Sequence, residues 1–167
     1  DYRAVDNIEI NGKALKELRN LGFTTAHIAP DQGIFRGQTG VISLSDQLNP
    51  INSSVAQVID FKYRAKKNRE YPRSLLGVIA HIRQTFYDSD CYLKAQEIVQ
   101  EYPSENEPIS SNSSLESLGL SRALNKPFVF ISSNDNSSSR AINIVKEFKL
   151  SPWILGSGYE YLSLIHI

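Results

Sequence analysis

The sequence predicts an α/β fold from three features. Strand-like and helix-like segments alternate along the chain. The C-terminal third reads strand, helix, strand at the spacing of a βαβ unit, which predicts that its two strands are parallel. In the run from Gly22 to Gly37, GFTTAHIAPDQGIFRG, a helix end, a strand and a polar loop with glycines follow one another. α/β enzymes present ligand-binding groups in this way, at the ends of strands.

Three regular segments are predicted in the first third of the chain: the helix Lys13–Leu21 and the strands Phe23–Ala29 and Val41–Leu44. Leucines recur on one stripe of the helix, and Gly22 is a typical C-terminal stop. The first strand places Phe23 and His27 on the same face. The two strands are close in sequence, so we expect them to pair or to bend around one another. Residues 49–54 are predicted to be a turn, and residues 55–63 fit more than one state.

The second half of the chain is predicted to hold three helices and two strands. Ser74 caps the longest helix, in which apolar residues recur at helical spacing from Leu75 to Phe86 and on to Val99, with a break expected at Asp88–Asp90. A loop at 103–114 follows, rich in Ser, Glu, Asn and Pro. The remaining predicted segments are the helices Leu115–Leu124 and Ser137–Phe148 and the strands Pro127–Ile131 and Pro152–Leu155.

Composition and charge exclude several classes of protein. Lys plus Arg and Asp plus Glu both number 18, so no net charge attracts nucleic acid or an anionic membrane. No apolar run approaches the roughly 20 residues that a transmembrane helix needs. Cys91 is the single cysteine, which rules out an intrachain disulfide and a multi-thiolate metal site.

The polar loop after the strand Phe23–Ala29 is the first candidate site. Asp31, Gln32 and Arg36 are predicted to lie at a strand end, where barrel enzymes place substrate-binding groups. Glycines within the loop allow tight backbone turns. The alternative is a glycine-rich connection with a structural arginine, and the spacing alone favours that alternative.

Three further residues invite a functional interpretation. Asn134 and Asp135 lie between a strand and a helix, so they could bind a substrate or serve as an ordinary helix cap, which is the more common role. His27 lies within a strand and could bind a metal. No second histidine or acid lies two residues away, which favours a hydrogen-bonded structural role for His27 instead.

The turn Gly156–Gly158 after the last strand resembles a phosphate-binding turn and raises a nucleotide-binding alternative. It lacks the third glycine of a dinucleotide fingerprint and the lysine of a P-loop. It also lacks the spacing of the nucleophile elbow of serine hydrolases. This alternative therefore rests on two glycines.

Four segments resemble the imidazolonepropionase-like branch of the metal-dependent amidohydrolases, in the order in which that family has them: Leu18–Gly37, Val41–Leu44, Tyr71–Phe86 (YPRSLLGVIAHIRQTF) and Pro127–Tyr161. The resemblance implies a partial (β/α)₈ TIM-type barrel with its N- and C-terminal parts missing, because a closed barrel needs about 200–250 residues. Residues 1–161 would be the central fragment. Residues 162–167 are interpreted as a non-native tail, since SLIHI resembles translated sequencing-adapter DNA.

The same resemblance implies a function. The implied reaction is the hydrolysis of a C–N amide bond in a cyclic amide or peptide-like small substrate. A divalent metal, for which zinc is the first choice, would activate the attacking water. The family's metal histidines would fall near Ile131 and Ser132 and at Ser157, so no metal ligand is identified here apart from the candidate His27. The alternative is therefore a non-catalytic ligand- or partner-binding protein with a degenerate metal site. Exported bacterial relatives point to a periplasmic location.

Overall fold

The computed structural model describes residues 2–8, 12–45, 49–62, 71–104, 107–132, 135–156 and 158. Within these residues a short 3-10 helix, Ala4–Asn7, precedes four α-helices and seven β-strands. The helices are α1 (Gly12–Asn20), α2 (Leu75–Glu101), α3 (Ser113–Ala123) and α4 (Asp135–Phe148). The strands are β1 (Thr25–Ile28), β2 (Phe35–Gln38), β3 (Gly40–Ser43), β4 (Pro50–Asn52), β5 (Gln57–Asp60), β6 (Pro127–Ile131) and β7 (Ser151–Leu155). The predicted mixed α/β class is confirmed.

The strands form two separate sheets. The main sheet has the order β2-β5-β6-β7, with β5, β6 and β7 parallel and β2 antiparallel to β5. The small sheet has the order β1-β3-β4 and is antiparallel throughout. The predicted parallel pairing of β6 with β7 is confirmed, with Val129 opposite Trp153.

One face of the main sheet packs against helices and forms the larger core. Side chains alternate between the two faces of a strand, so Ile59, Phe128 and Phe130 all point to this helix face. Phe86 of α2 is fully buried there and stacks on Phe148 of α4 with ring centroids 4.8 Å apart. The other buried members of this core are Phe61, Val78, Ile82, Leu118, Ala141, Ile144 and Leu150.

The opposite face, here called the open face, carries the alternate residues of the parallel strands. They lie in two rows across the sheet: Val58, Val129 and Trp153, and then Asp60, Ile131 and Leu155. In each row the exposure of the side chains rises from β5 to β7. The residues of β5 are all buried, whereas Trp153 and Leu155 on β7 are 46% and 60% exposed. The open face therefore presents apolar side chains to solvent at its β7 end.

A smaller core lies under the small sheet. Leu15 of α1 is buried against Ile42 and Leu44, and Ala26 and Ile28 of β1 pack against them. This packing uses the face of β1 that the sequence placed opposite Phe23 and His27. Of the leucine stripe predicted for the helix Lys13–Leu21, Leu15 covers the small sheet, whereas Leu18 and Leu21 are 39% and 74% exposed.

Three predictions about elements need correction. The predicted strand Phe23–Ala29 becomes β1, which pairs with β3 as expected but belongs to the small sheet, outside the parallel strands. The predicted turn at 49–54 contains β4, which pairs with β3. The expected break at Asp88–Asp90 does not occur, since α2 is continuous from Leu75 to Glu101. Ser89 in this segment donates to the carbonyl of Leu115 at 2.8 Å and so ties α2 to α3.

Among the described residues, none of the helices has both the length and the apolar character needed to cross a membrane.

Candidate functional site

The carboxyl ends of three parallel strands meet at one edge of the main sheet. These strands end side by side at Asp60, Ile131 and Leu155. Because β2 runs antiparallel to β5, its beginning lies at the same edge, where the Asp60 amide donates to the carbonyl of Ile34 at 2.9 Å. The loop 30–34 that precedes β2 is therefore brought to the carboxyl edge, where α/β folds bind their ligands.

Arg36 lies in strand β2, not in the loop where the sequence analysis placed it. Phe35 and Gly37 pair with consecutive residues of β5, so Arg36 between them is the extra residue of a β-bulge. Gly37 completes the bulge with a φ of +112°, a conformation that favours glycine. Bulges commonly redirect a side chain near a functional site. This one directs the Arg36 guanidinium to Asp60.

Arg36 and Asp60 form a largely buried ion pair. Arg36 Nη2 donates to Asp60 Oδ2, and the two side chains are only 15% and 6% exposed. The backbone N–H of Lys62 donates to Asp60 Oδ1 at 2.9 Å, so both carboxylate oxygens accept a hydrogen bond. A buried ion pair is tolerated only when its charges are matched and hydrogen-bonded in this way.

Arg36 also holds the loop at the carboxyl edge. Its Nη1 donates to the carbonyl of Pro30 at 3.3 Å, and Pro30 itself is buried. The next two residues, Asp31 and Gln32, are exposed to solvent. The buried Nε of Arg36 has no hydrogen-bond partner among the described residues. Arg36 therefore fixes the base of the loop, and Asp31 and Gln32 are exposed at the carboxyl edge.

The second pair of predicted site residues follows β6. Asp135 is the first residue of α4 and lies at the same carboxyl edge, although its side chain is outside the described residues, as is the whole of Asn134. Between them and the strand, Ser132 is buried with its Oγ 2.8 Å from Ser138 Oγ. The structure thus brings Asp31, Gln32 and the start of α4 to one edge.

His27 lies away from this edge and has neighbours of its own. Its Nε2 is 2.8 Å from the Oγ1 of Thr39, a buried hydroxyl that also accepts from the backbone N–H of Ala56 at 3.1 Å. Its ring meets the ring of Trp153 edge to face, with centroids 6.0 Å apart. His27 therefore connects the small sheet to β7 and to the chain before β5.

The described residues do not fit a catalytic metal. Nowhere in the described ranges do three His, Cys, Asp or Glu side chains come together as ligands. At the end of β6 stand Ile131, which has no donor atom, and Ser132, whose hydroxyl is engaged with Ser138. Asp60 is committed to its ion pair. Ser157, the other position that the resemblance singles out, lies outside the described residues.

Asp60 is the site residue that the sequence analysis missed. It follows Val58 and Ile59, and an acid that ends a short β-branched run is a recognisable strand-end signal. The segment 55–63 fits more than one state, because its apolar run is short and flanked by polar residues. Without that strand, nothing in the sequence connects Asp60 with Arg36, which lies 24 positions earlier.

Comparison with known proteins identifies the fold. No family model and no curated protein sequence matches the chain. Among solved structures, the chain is similar to an amidohydrolase from Thermotoga maritima, with 19% sequence identity and a TM-score of 0.72. The similarity covers 90% of this chain and 41% of that chain, so this chain spans less than half of the solved protein. At this identity the likeness establishes that the chain shares the architecture of part of that solved structure.

Proposed function

We propose that this chain is the central part of an amidohydrolase-like (β/α)₈ barrel, and that the complete protein hydrolyses a C–N amide bond in a cyclic amide or peptide-like small molecule. The observation that carries this proposal is the loop 30–34, which Arg36 fixes at the carboxyl edge of three parallel strands. Barrel enzymes bind substrates at that edge. The shared architecture with an amidohydrolase supports the choice of reaction.

The two exposed loop residues and the buried arginine have different roles in this proposal. Asp31 and Gln32 contact the substrate, because a carboxylate and a carboxamide can hydrogen-bond the N–H and C=O of an amide. Arg36 is a positioning residue, since its guanidinium is buried between Asp60 and Pro30. In the reaction, water adds to the amide carbonyl carbon, the C–N bond breaks, and the nitrogen leaves with a proton that comes from the water.

The described residues do not form a set of ligands for a divalent metal. A metal, with zinc as the first choice, therefore belongs to this proposal only for the complete protein.

A non-catalytic ligand-binding protein is the second candidate function. Ile131 and Ser132 at the end of β6 favour it, since neither is available as a metal ligand. In that case the loop 30–34 binds the same class of amide without cleaving it. Binding without product formation distinguishes this candidate from the enzyme.

We expect Asp31→Asn to lower kcat/KM for amide hydrolysis by the complete protein about 10- to 100-fold, the worth of one hydrogen bond to a charged group. The free energy of unfolding should not change, since Asp31 is exposed. The measurement is product formation from a panel of cyclic amides and acylated dipeptides, with elemental analysis of the purified protein. Asp88→Asn, an exposed acid on α2, is the control. Saturable binding with no product from any member of the panel would establish the second candidate instead.

The barrel proposal makes a prediction about β7, the last strand in the order of the main sheet. An edge strand with exposed apolar side chains is a template for pairing with another chain. We expect the 167-residue chain alone to self-associate as its concentration rises, and Trp153→Lys with Leu155→Lys to reduce that association. Sedimentation velocity at several concentrations measures it. Leu124→Lys, which alters an exposed leucine just after α3, is the matched control. A chain that stays monomeric throughout would contradict an incomplete barrel.

A further inference from the structure

A cavity of about 360 Å³ lies on the helix face of the main sheet, where β2 and β5 meet α2 and α3. Two buried glutamines, Gln38 and Gln57, lie directly opposite one another across β2 and β5 and line it together. The rings of Phe35 and His81 line another part, with centroids 6.2 Å apart. Gln38 ends β2 and Gln57 begins β5, so these glutamines lie toward the opposite edge of the sheet from the site at the carboxyl edge.

The polar groups of the cavity retain hydrogen-bonding capacity. Gln38 Nε2 donates to Ser117 Oγ at 2.6 Å, and Gln57 Nε2 donates to the hydroxyls of Ser117 and Ser121 at 3.4 and 3.3 Å. These bonds use the amide nitrogens, which leaves both glutamine Oε1 atoms as acceptors. A carboxamide nitrogen can only donate, so the Ser117 hydroxyl accepts and its own hydrogen is available to donate. Neither oxygen is a buried atom that lacks a partner, so both are open to solvent and to a ligand that enters the cavity.

The side chains that line the cavity favour an uncharged ligand. Within the described part of the chain, no Asp, Glu, Lys or Arg side chain lines the cavity. A charged ligand would lose its hydration there without gaining a counter-ion. The volume lies within the range of small-molecule sites. The ligand is therefore small and uncharged, with at least one N–H donor for the glutamine oxygens and one acceptor for Ser117.

We propose that this cavity binds a small, uncharged aromatic carboxamide. The two N–H donors of its amide nitrogen bond Oε1 of Gln38 and Oε1 of Gln57, its carbonyl accepts from the Ser117 hydroxyl, and its ring packs against Phe35 and His81. A carboxamide presents a donor beside an acceptor, which matches the donor and acceptors that the two glutamines and Ser117 leave unused. The site does not take part in the hydrolysis proposed above.

Fluorobenzamide is the probe, and its fluorine NMR line width in the presence of the complete protein is the measurement. We expect saturable broadening with a Kd on the order of 1 mM, which suits a ligand of so few atoms. Unlabelled benzamide should displace the probe. Fluorobenzoate, which is charged, and dimethylated fluorobenzamide, which lacks the N–H, should each bind about tenfold more weakly or not at all. Equal binding of the charged or the methylated compound would overturn the proposal, as would the absence of saturable binding.

Two variants locate the bound probe. Gln57→Met and Ser117→Ala each remove one polar partner of the probe, and each should weaken binding about tenfold. If Gln57→Met does not fold, Ser117→Ala alone tests the site. Gln84→Met, which changes an exposed glutamine of α2 outside the cavity, should leave binding unchanged. Binding that survives both cavity variants would overturn the proposal. So would binding that Asp31→Asn abolishes, because the probe would then occupy the site at the carboxyl edge.

Discussion

Replacing Asp60 with asparagine is expected to lower the free energy of unfolding by about 3–5 kcal/mol, the usual cost of breaking a buried ion pair from one side. Arg36 cannot lose its proton, and it would keep its charge in a place that is largely closed to water. The asparagine can retain the hydrogen bond from the Lys62 amide, so the loss falls mainly on the pair itself. Urea unfolding followed by circular dichroism measures the change.

Two comparisons separate burial from charge pairing. Asp90→Asn breaks a more exposed pair, in which the Arg122 and Asp90 side chains are 21% and 40% exposed, so at most about 1 kcal/mol should be lost. The double change Arg36→Met with Asp60→Leu removes both charges and should recover most of the stability lost by Asp60→Asn. If Asp60→Asn proves as mild as Asp90→Asn, the Arg36–Asp60 pair is more hydrated than its burial indicates.

Local patterns were enough to predict the elements of the second half of the chain. The strand Pro127–Ile131 agrees with β6 at both ends, and the parallel pairing with β7 followed from the helix between them. The strands and the helix of such a βαβ unit are neighbours in sequence and in space. Each of them has its own pattern of apolar residues, so the unit can be predicted from local sequence. The capping role predicted for Ser74 is also confirmed, because its side chain accepts from the Gly77 amide at 3.1 Å.

Long-range pairing explains what the sequence analysis could not find. β4 has three residues and begins with a proline, so it carries almost no local signal and exists because β3 pairs with it. The bulge at Arg36 likewise depends on the register between β2 and β5. A one-residue change of register alters the face to which a side chain points. The contact between Arg36 and Asp60 therefore could not be derived from spacing, whereas the glycine at position 37 was already a hint of unusual backbone.

The candidate site depends on this bulge more than on any single polar side chain. With regular pairing, Arg36 would occupy an ordinary place in the ladder of β2. The extra residue lets the guanidinium reach both Asp60 and the carbonyl of Pro30, so that one side chain ties the loop 30–34 to the end of β5. The loop's two exposed side chains, Asp31 and Gln32, are thus held at the carboxyl edge by a backbone irregularity. Gly37 is the residue that permits it.

Gly37→Ala is expected to lower the free energy of unfolding by about 3 kcal/mol, through two effects that act together. The φ of +112° lies in a region that residues with a Cβ rarely adopt. A methyl group at this position would also overlap the carbonyl oxygen of Tyr2, which is held close because it accepts from the Gln38 amide at 2.7 Å. The backbone must move to relieve the overlap, and Arg36 next to it would lose its alignment with Asp60. Urea unfolding measures the loss.

Two other glycines separate these effects. Gly22 has a φ of +92° with nothing within 4 Å of an added Cβ, so Gly22→Ala should cost only the backbone strain, about 1–2 kcal/mol. Gly12 begins α1 with neither a positive φ nor a close neighbour, and Gly12→Ala should be neutral or stabilise the protein by less than about 1 kcal/mol. The order of cost should therefore be Gly37, Gly22, Gly12. Equal losses at Gly37 and Gly22 would mean that the contact with Tyr2 does not constrain the bulge, and the bulge would then rest on backbone conformation alone.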